Sequence, residues 1–314
     1  MRNYGATISE FGEADVLVFQ PELPMPAISE QQVLIENHFA GINPVDFKTR
    51  KGLGWGAEKF KSQFPAVLGF DVAGIVAKAG KNSGFQVGDR VAALTFEGGC
   101  YARYVAVNAD LVTKVPESVS LTEAGAMPTA AITAYQIVKQ ANLQAGQHIL
   151  VSAPLGGVGH LLLQLLAQHQ VKISVICSPA KNQAALKLGA MQCFDYHHPE
   201  QYPDLQADLF IDLVGGDSGV AALKMVKTGG RVICIPTIHV PLLQQAGAEQ
   251  HLLVEKMLAV PNRDDLATML GYLADHRLQL QIAQVFPISQ IQQAHRALES
   301  GRTQGKIVLD LTDK

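Results

Sequence analysis

Val151-Ser152-Ala153-Pro154-Leu155-Gly156-Gly157-Val158-Gly159 is the stretch on which the reading of this chain turns. It continues the apolar run Ile149-Leu150-Val151. It leads into a segment whose apolar residues Val158, Leu161, Leu162, Leu165 and Leu166 recur with the spacing of a one-faced helix. Strand, glycine-rich turn and amphipathic helix in that order carry the dinucleotide fingerprint, with Ala153 in place of the first glycine and Gly156 and Gly159 in the other two positions. A pyrophosphate must approach backbone N–H groups at a helix N-terminus without a Cβ in the way. Gly156 and Gly157 supply that freedom, so Ala153, Gly156, Gly157, Val158 and Gly159 are the expected cofactor contacts. Pro154 withdraws one N–H from the turn.

Downstream, strand and helix patterns alternate. Ile173–Ile176, Leu209–Ile211 and Arg231–Ile235 are strand-like, with helices expected around residues 183–188 and 220–226. Alternation of this kind implies parallel strands with crossover helices, hence a doubly wound sheet. Upstream the texture differs. Short apolar runs such as Val33-Leu34-Ile35, Ala73–Val76, Arg90–Leu94 and Tyr104–Val107 are separated by Gly, Pro and Asn, the pattern of a mostly β domain. Ser120-Leu121-Thr122-Glu123 has the form of a capping box opening an Ala-rich helix, which puts a domain boundary near residue 122. Helices are expected over 264–276 and 288–300, then a last strand over 306–311.

The end of the second strand of a dinucleotide domain selects the cofactor. An acid there binds the ribose 2′-hydroxyl, whereas its absence beside a cation accommodates a 2′-phosphate. Here the chain runs Val175-Ile176-Cys177-Ser178-Pro179-Ala180-Lys181, with no Asp or Glu. NADPH is favoured, with Ser178 donating to the phosphate and Lys181 offsetting its charge. Lys181 also fits a solvated lysine at a helix start.

The composition excludes other classes. With 314 residues the chain is long enough for two domains, and 48% apolar against 17% charged residues is a globular balance. A formal net charge of −3 leaves no global footprint for nucleic acid or an anionic membrane. Cys100, Cys177, Cys193 and Cys234 form no CxxC pair, which suits reduced thiols. The N-terminal residues lack a signal-peptide core and no apolar run approaches a bilayer span, so a soluble cytoplasmic protein is expected.

The order of motifs resembles the medium-chain dehydrogenase/reductase superfamily, in its zinc-independent quinone oxidoreductase branch with ζ-crystallin-like and alkenal reductase members. The residues that carry the resemblance are Ala40–Asp46, Pro65–Gly74, Val87–Val91, Thr133-Ala134-Tyr135, Ala153–Gly159, Lys187–Ala190, Asp212–Gly216, Gly229-Gly230-Arg231 and Gly305–Leu309. It implies a GroES-like catalytic domain from residues 1–122 and 263–314 around an inserted Rossmann domain, residues 123–262, with substrate held between the two. It also carries Thr133 to the nicotinamide, Tyr196 to the adenine ribose and 2′-phosphate, and Gly215 and Lys306 to the cofactor. Many relatives are dimers, so a homodimer is among the expectations.

In the zinc alcohol dehydrogenases of this superfamily, Cys and His ligands stand where this chain has Asn43 and Phe70, and a catalytic zinc needs three protein ligands. The resemblance therefore implies catalysis without metal. A quinone or α,β-unsaturated carbonyl is electrophilic enough to take hydride from NADPH, leaving the protein to position it and stabilise an oxyanion. Asn43 is the expected donor, to a carbonyl or to the nicotinamide ribose, and is equally a turn residue before Pro44. Trp55 stands where many quinone reductases carry a tyrosine and is either a pocket wall or a surface aromatic. Asp46 and Asp71 are expected to be structural, Gly69 and Gly74 to serve tight turns, and residues 237–253 to form a mobile cover. Two alternatives remain open: a zinc-type alcohol dehydrogenase, and a non-catalytic NADPH-binding regulatory or structural protein.

Overall fold

The computed structural model describes residues 1–312. They fall into two units, one built from Met1–Ile132 and the chain from Pro261 on, the other from Thr133–Val260.

In the first unit a short antiparallel pair, β1 (Gly5–Thr7) and β2 (Val18–Gln20), precedes the long strand β3 (Gln32–Ile42). β4 (Asp71–Ala79) runs antiparallel along one edge of β3, followed by β5 (Arg90–Leu94) and β7 (Val112–Lys114). The other edge is shared. β6 (Tyr104–Asn108) takes residues 32–36, and β15 (Lys306–Asp310), with β14 (Ile282–Pro287) outside it, takes residues 39–42. Val33 and Ile35, Val72 and Val76, Val91 and Ala93, and Val105 and Val107 point into one core, the period-two alternation of a half-buried sheet. Helices α1 (Pro44–Arg50), α2 (Gly54–Phe60), α3 (Leu121–Ala126), α9 (Arg263–Ala274) and α10 (Ile291–Glu299) belong to this unit.

The division lies inside α4 (Pro128–Ala141), ten residues later than the boundary expected at residue 122. The expected capping box is present, with Ser120 N–H bonded to Glu123 Oε2 at 2.9 Å and Glu123 N–H to Ser120 Oγ at 3.2 Å. The helix it opens, however, packs on β3 and β4. A Cβ on Gly125 would lie 2.7 Å from the Cβ of Phe39, and one on Gly41 would lie 2.8 Å from the Gly125 carbonyl. Two facing glycines thus let α3 dock closely on β3, and that packing outweighs the change in sequence texture.

The second unit has six strands, all parallel: β8 (His148–Ser152), β9 (Lys172–Ile176), β10 (Gln192–Phe194), β11 (Ala207–Asp212), β12 (Val226–Cys234) and β13 (Leu253–Lys256). Their order β10-β9-β8-β11-β12-β13 is that of a doubly wound dinucleotide fold, with the topological switch between β8 and β11. Crossovers pass through α5 (Gly159–Leu166), α6 (Asn182–Lys187), α7 (Gly216–Ala222) and α8 (Val240–Gly247). The mobile cover expected over 237–253 is instead a short 3-10 turn and α8, with Val240 and Leu243 buried, leading into β13. No helix among the described residues is long and apolar enough to cross a membrane.

Gly69 has the left-handed φ of +88° that the turn expectation requires, but Gly74 lies within β4, not in a turn. A Cβ there would sit 1.9 Å from the Glu36 carbonyl of β3, so its role is close strand approach. Gly74→Ala is expected to lower unfolding stability by about 1–3 kcal/mol, as overpacking does. Urea denaturation with an unchanged midpoint would refute this.

Candidate active site

The glycine-rich turn of the second unit begins where β8 leaves the sheet. Ala153 adopts φ +47°, a conformation that a non-glycine residue occupies at a cost. Its carbonyl accepts the Gly156 N–H at 3.1 Å, and a Cβ on Gly159 would lie 2.2 Å from the same oxygen. Gly159 is therefore required for α5 to start directly against the turn. That geometry aims the first N–H groups of α5 at the loop, the arrangement that receives a phosphate. The residues fit a dinucleotide pyrophosphate, since Gly156 and Gly159 keep Cβ atoms out of the turn where α5 begins.

Beneath the turn, the Ser152 hydroxyl donates to Asp212 Oδ1 at 2.9 Å and accepts the Leu213 N–H at 2.8 Å. Asp212 Oδ1 also accepts the N–H groups of Val214 and Gly215, both at 3.0 Å. This network joins the C-terminal ends of β8 and β11 across the topological switch and holds Gly215 at φ +75° under the His239 ring. Sequence reasoning missed Ser152 and Asp212 as functional supports. Their signal was a polar residue closing each of the apolar runs Ile149–Val151 and Leu209–Ile211.

Ser178, Lys181 and Tyr196 are brought to one edge, the C-terminal ends of the neighbouring strands β9 and β10. Ser178 precedes a 3-10 turn, Pro179–Lys181, and its side chain makes no capping bond there. Tyr196 is exposed and lies 4.0 Å, centroid to centroid, from the His197 ring. The nearby acid Asp195 is occupied by His197, whose N–H lies 3.0 Å and Nδ1 2.7 Å from its Oδ1.

In the first unit, pairing of Ile307 with Ile42 brings Lys306 beside Asn43. Lys306 is 3% exposed and Asn43 2%. The Lys306 ammonium donates to Asn43 Oδ1 and to the Ile42 carbonyl at 3.1 Å, and lies 3.9 Å from Asp71 Oδ2. Asn43 Nδ2 donates to Asp71 Oδ2 at 2.8 Å and to the Gly41 carbonyl at 3.4 Å. Asn43 thus does not offer its amide to a substrate carbonyl or ribose, as its sequence position suggested, because Lys306 and Asp71 already use it. It is also the residue before α1, its N–H donating to Asp46 Oδ2 at 2.6 Å.

Asp71 Oδ1 is held by the Thr129 N–H at 2.9 Å and hydroxyl at 2.5 Å. Thr133 is buried one helical turn further along α4, on the same face. Asp46 and Asp71, expected to be structural, are both fully buried. Burial, then the Asp71 charge, pushes the Asp46 carboxyl up to about 8. Burial also raises Asp71, against the opposing pull of Lys306, and lowers Lys306.

Phe70 is fully buried, while Trp55 on α2 lies 5.3 Å from its ring and 4.4 Å from that of Phe96. Trp55 is therefore part of an aromatic cluster that includes Phe96, a residue sequence reasoning did not single out. Among the described residues no three of His, Cys, Asp and Glu gather as a metal site.

Two measurements follow from this geometry. Gly159→Ala is expected to raise the dissociation constant for a dinucleotide at least about tenfold, since the loop must move away from α5; unchanged binding by titration would contradict it. Asp46 holds a proton in the folded state up to about pH 8 and releases it near pH 4 when unfolded. Folding therefore takes up a proton between these values, and the contribution of Asp46 to stability falls as pH rises from about 4 to 8. Melting temperatures across this range should decline less steeply in Asp46→Asn, and parallel curves would refute the assignment.

Residues 29–117 match the alcohol dehydrogenase GroES-like domain family, and residues 188–309 match the zinc-binding dehydrogenase family. A 2-methylene-furan-3-one reductase of Solanum lycopersicum is 34% identical, over 96% of this chain and 77% of that protein. An NADPH-dependent alkenal/one oxidoreductase, chloroplastic, of Arabidopsis thaliana is 31% identical over 96% and 78%. The solved quinone oxidoreductase of Coxiella burnetii superposes with a TM-score of 0.93 at 31% identity, over 99% of this chain and 100% of that one. With both families matched in order and relatives of this identity along nearly its whole length, the chain belongs to the medium-chain dehydrogenase/reductase superfamily, among its quinone and alkenal oxidoreductases.

Proposed function

We propose that the protein is an NADPH-dependent reductase that passes hydride to a quinone or an α,β-unsaturated carbonyl, and that it does so without a metal ion. The observation that carries this reading is the buried Lys306 ammonium pinned by Asn43 beside Asp71. It is a fixed positive charge next to the position that a metal ligand occupies in the zinc enzymes of the superfamily. Relatives named for NADPH-dependent alkenal/one and quinone reduction support the same chemistry.

Bound NADPH supplies the hydride. Addition of hydride to an enone or quinone leaves negative charge on oxygen, and a donor fixed in advance in a dry site stabilises that charge without reorganising. Two of the three Lys306 N–H groups go to Asn43 and Ile42, leaving a third for the acceptor oxygen or a cofactor hydroxyl. The donor role expected of Asn43 thus passes to Lys306, and Asn43 orients it. The Thr133 hydroxyl flanks the nicotinamide. The turn from Ala153 to Gly159, with Gly215, binds the pyrophosphate. Ser178 and Lys181 take the 2′-phosphate, Tyr196 lies along the adenine ribose, and Trp55 with Phe96 walls the acceptor.

NADPH oxidation measured against a panel of quinones and alkenals, beside NADH, tests this reading. NADPH is expected to be preferred at least about tenfold, and Lys181→Ala to raise KM for NADPH about tenfold, a loss of about 1.4 kcal/mol, with little change for NADH. Lys306→Met should lower kcat about 100-fold, the scale of a lost oxyanion donor. NADH preference would overturn the 2′-phosphate assignment, and stoichiometric zinc by elemental analysis would overturn the metal-free mechanism.

A further inference from the structure

No acid stands between Val175 and Lys181, yet the sheet brings one to the same edge from the neighbouring strand. β9 and β10 run parallel, with Val175 beside Cys193 and Ile176 beside Phe194. Beyond the last pair the Cys177 N–H donates to the Phe194 carbonyl at 2.9 Å, so Asp195 leaves β10 abreast of Cys177, next to Ser178. Two opposite charges therefore flank the buried Cys177 thiol. Burial above all pushes that thiol up to about 12, while Lys181 pulls it down and Asp195 pushes it further. A free carboxylate at this edge would accept from the ribose 2′-hydroxyl of NADH and repel the 2′-phosphate of NADPH.

Asp195 is not free, because His197 holds it twice through one oxygen. The His197 N–H lies 3.0 Å from Asp195 Oδ1, and its ring Nδ1 lies 2.7 Å from the same atom. The chain turns tightly to allow this, with the Asp195 carbonyl accepting the His198 N–H at 3.2 Å. The ring also lies against Tyr196, at 4.0 Å between centroids and 34° between planes. The imidazole is the outer partner, 54% exposed against 25% for the Asp195 side chain. Its backbone N–H first, and then its ring, hold the Asp195 carboxyl below the ordinary value. The next histidine is engaged elsewhere, His198 Nδ1 lying 3.1 Å from Glu200 Oε1.

We propose, on the assignment of the 2′-phosphate to Ser178 and Lys181 above, that His197 sets the cofactor preference: it ties Asp195 to its own turn, offsets its charge, and so leaves this edge open to a 2′-phosphate. His197 is then a specificity residue that acts through a neighbouring acid. Removing it has two effects with one cause. Asp195 regains its full charge near the phosphate, which weakens NADPH, and it gains an oxygen for the ribose hydroxyl, which favours NADH. A histidine that only shaped the turn would affect both cofactors alike, since the two differ in the 2′-phosphate alone.

His197→Ala, alone and combined with Asp195→Asn, separates these cases. Asparagine keeps an acceptor for the residue-197 N–H and carries no charge. Dissociation constants for NADPH and NADH are measured by titration of the whole protein, with melting curves alongside. His197→Ala is expected to lower the NADPH-over-NADH affinity ratio at least about tenfold, with no loss of NADH affinity. Adding Asp195→Asn should return the ratio to within about threefold of wild type, because the repelling charge is gone. An unchanged ratio, or an equal loss for both cofactors, in a variant that melts like wild type overturns the role of His197. A lowered ratio that Asp195→Asn does not restore overturns it too, since the acid is then not the cause. Wild-type protein that binds NADH as tightly as NADPH refutes the 2′-phosphate assignment itself, a result read before any substitution is made.

Discussion

An ammonium group withdrawn from water is the constraint around which the first unit is organised. A buried charge is tolerated only when it is paired and hydrogen-bonded, and Lys306 meets that condition through Asn43, the Ile42 carbonyl and Asp71. Each partner imposes a further requirement. Because side chains alternate along a strand, β15 must pair with β3 in a single register, as a slip of one residue would turn Lys306 to the other face. Gly41 must lack a Cβ, since one would lie 2.6 Å from Asp71 Oδ2. Thr129 must hold the second Asp71 oxygen, which fixes the start of α4 against β4.

The second unit solves a comparable problem without a cation. Asp212 is fully buried, and one of its oxygens accepts the Ser152 hydroxyl and two backbone N–H groups. The carboxylate thereby holds together the ends of β8 and β11, where the sheet changes direction and the glycine-rich turn departs. The strain at Ala153 persists because the turn is held from below by this network and from above by the contact with Gly159.

Much of this architecture is legible in the residues. Period-two and helical spacings identify both textures, the glycine turn identifies the dinucleotide loop, and Ser120 with Glu123 marks a helix start. The readings that failed depend on contacts between distant segments. The unit boundary is set by the docking of Gly125 on Gly41 and Phe39, the role of Gly74 by the Glu36 carbonyl, and the use of the Asn43 amide by Lys306. The short strand β10 and the polar-ended β13 lack the apolar length that makes a strand visible, and become strands only through pairing with β9 and β12. The bond from Arg50 to Glu299 was invisible for the same reason, its partners being adjacent in space and 249 residues apart in sequence.

The closure of β3 by β15 also has a consequence for the order of synthesis. Ile42 and Lys306 are separated by 264 positions, so at 5–20 residues per second the ribosome takes roughly 13–50 s to deliver the strand that completes the first sheet. Throughout that interval the end of β3 that awaits β15 is an unsatisfied strand edge, the kind of surface on which nascent chains aggregate. The inserted unit has all six of its strands between residues 148 and 256 and can close its own sheet while the first waits. An early finished domain tethered to a late one leaves the nascent chain exposed to chaperones and proteases until Lys306–Asp310 emerge.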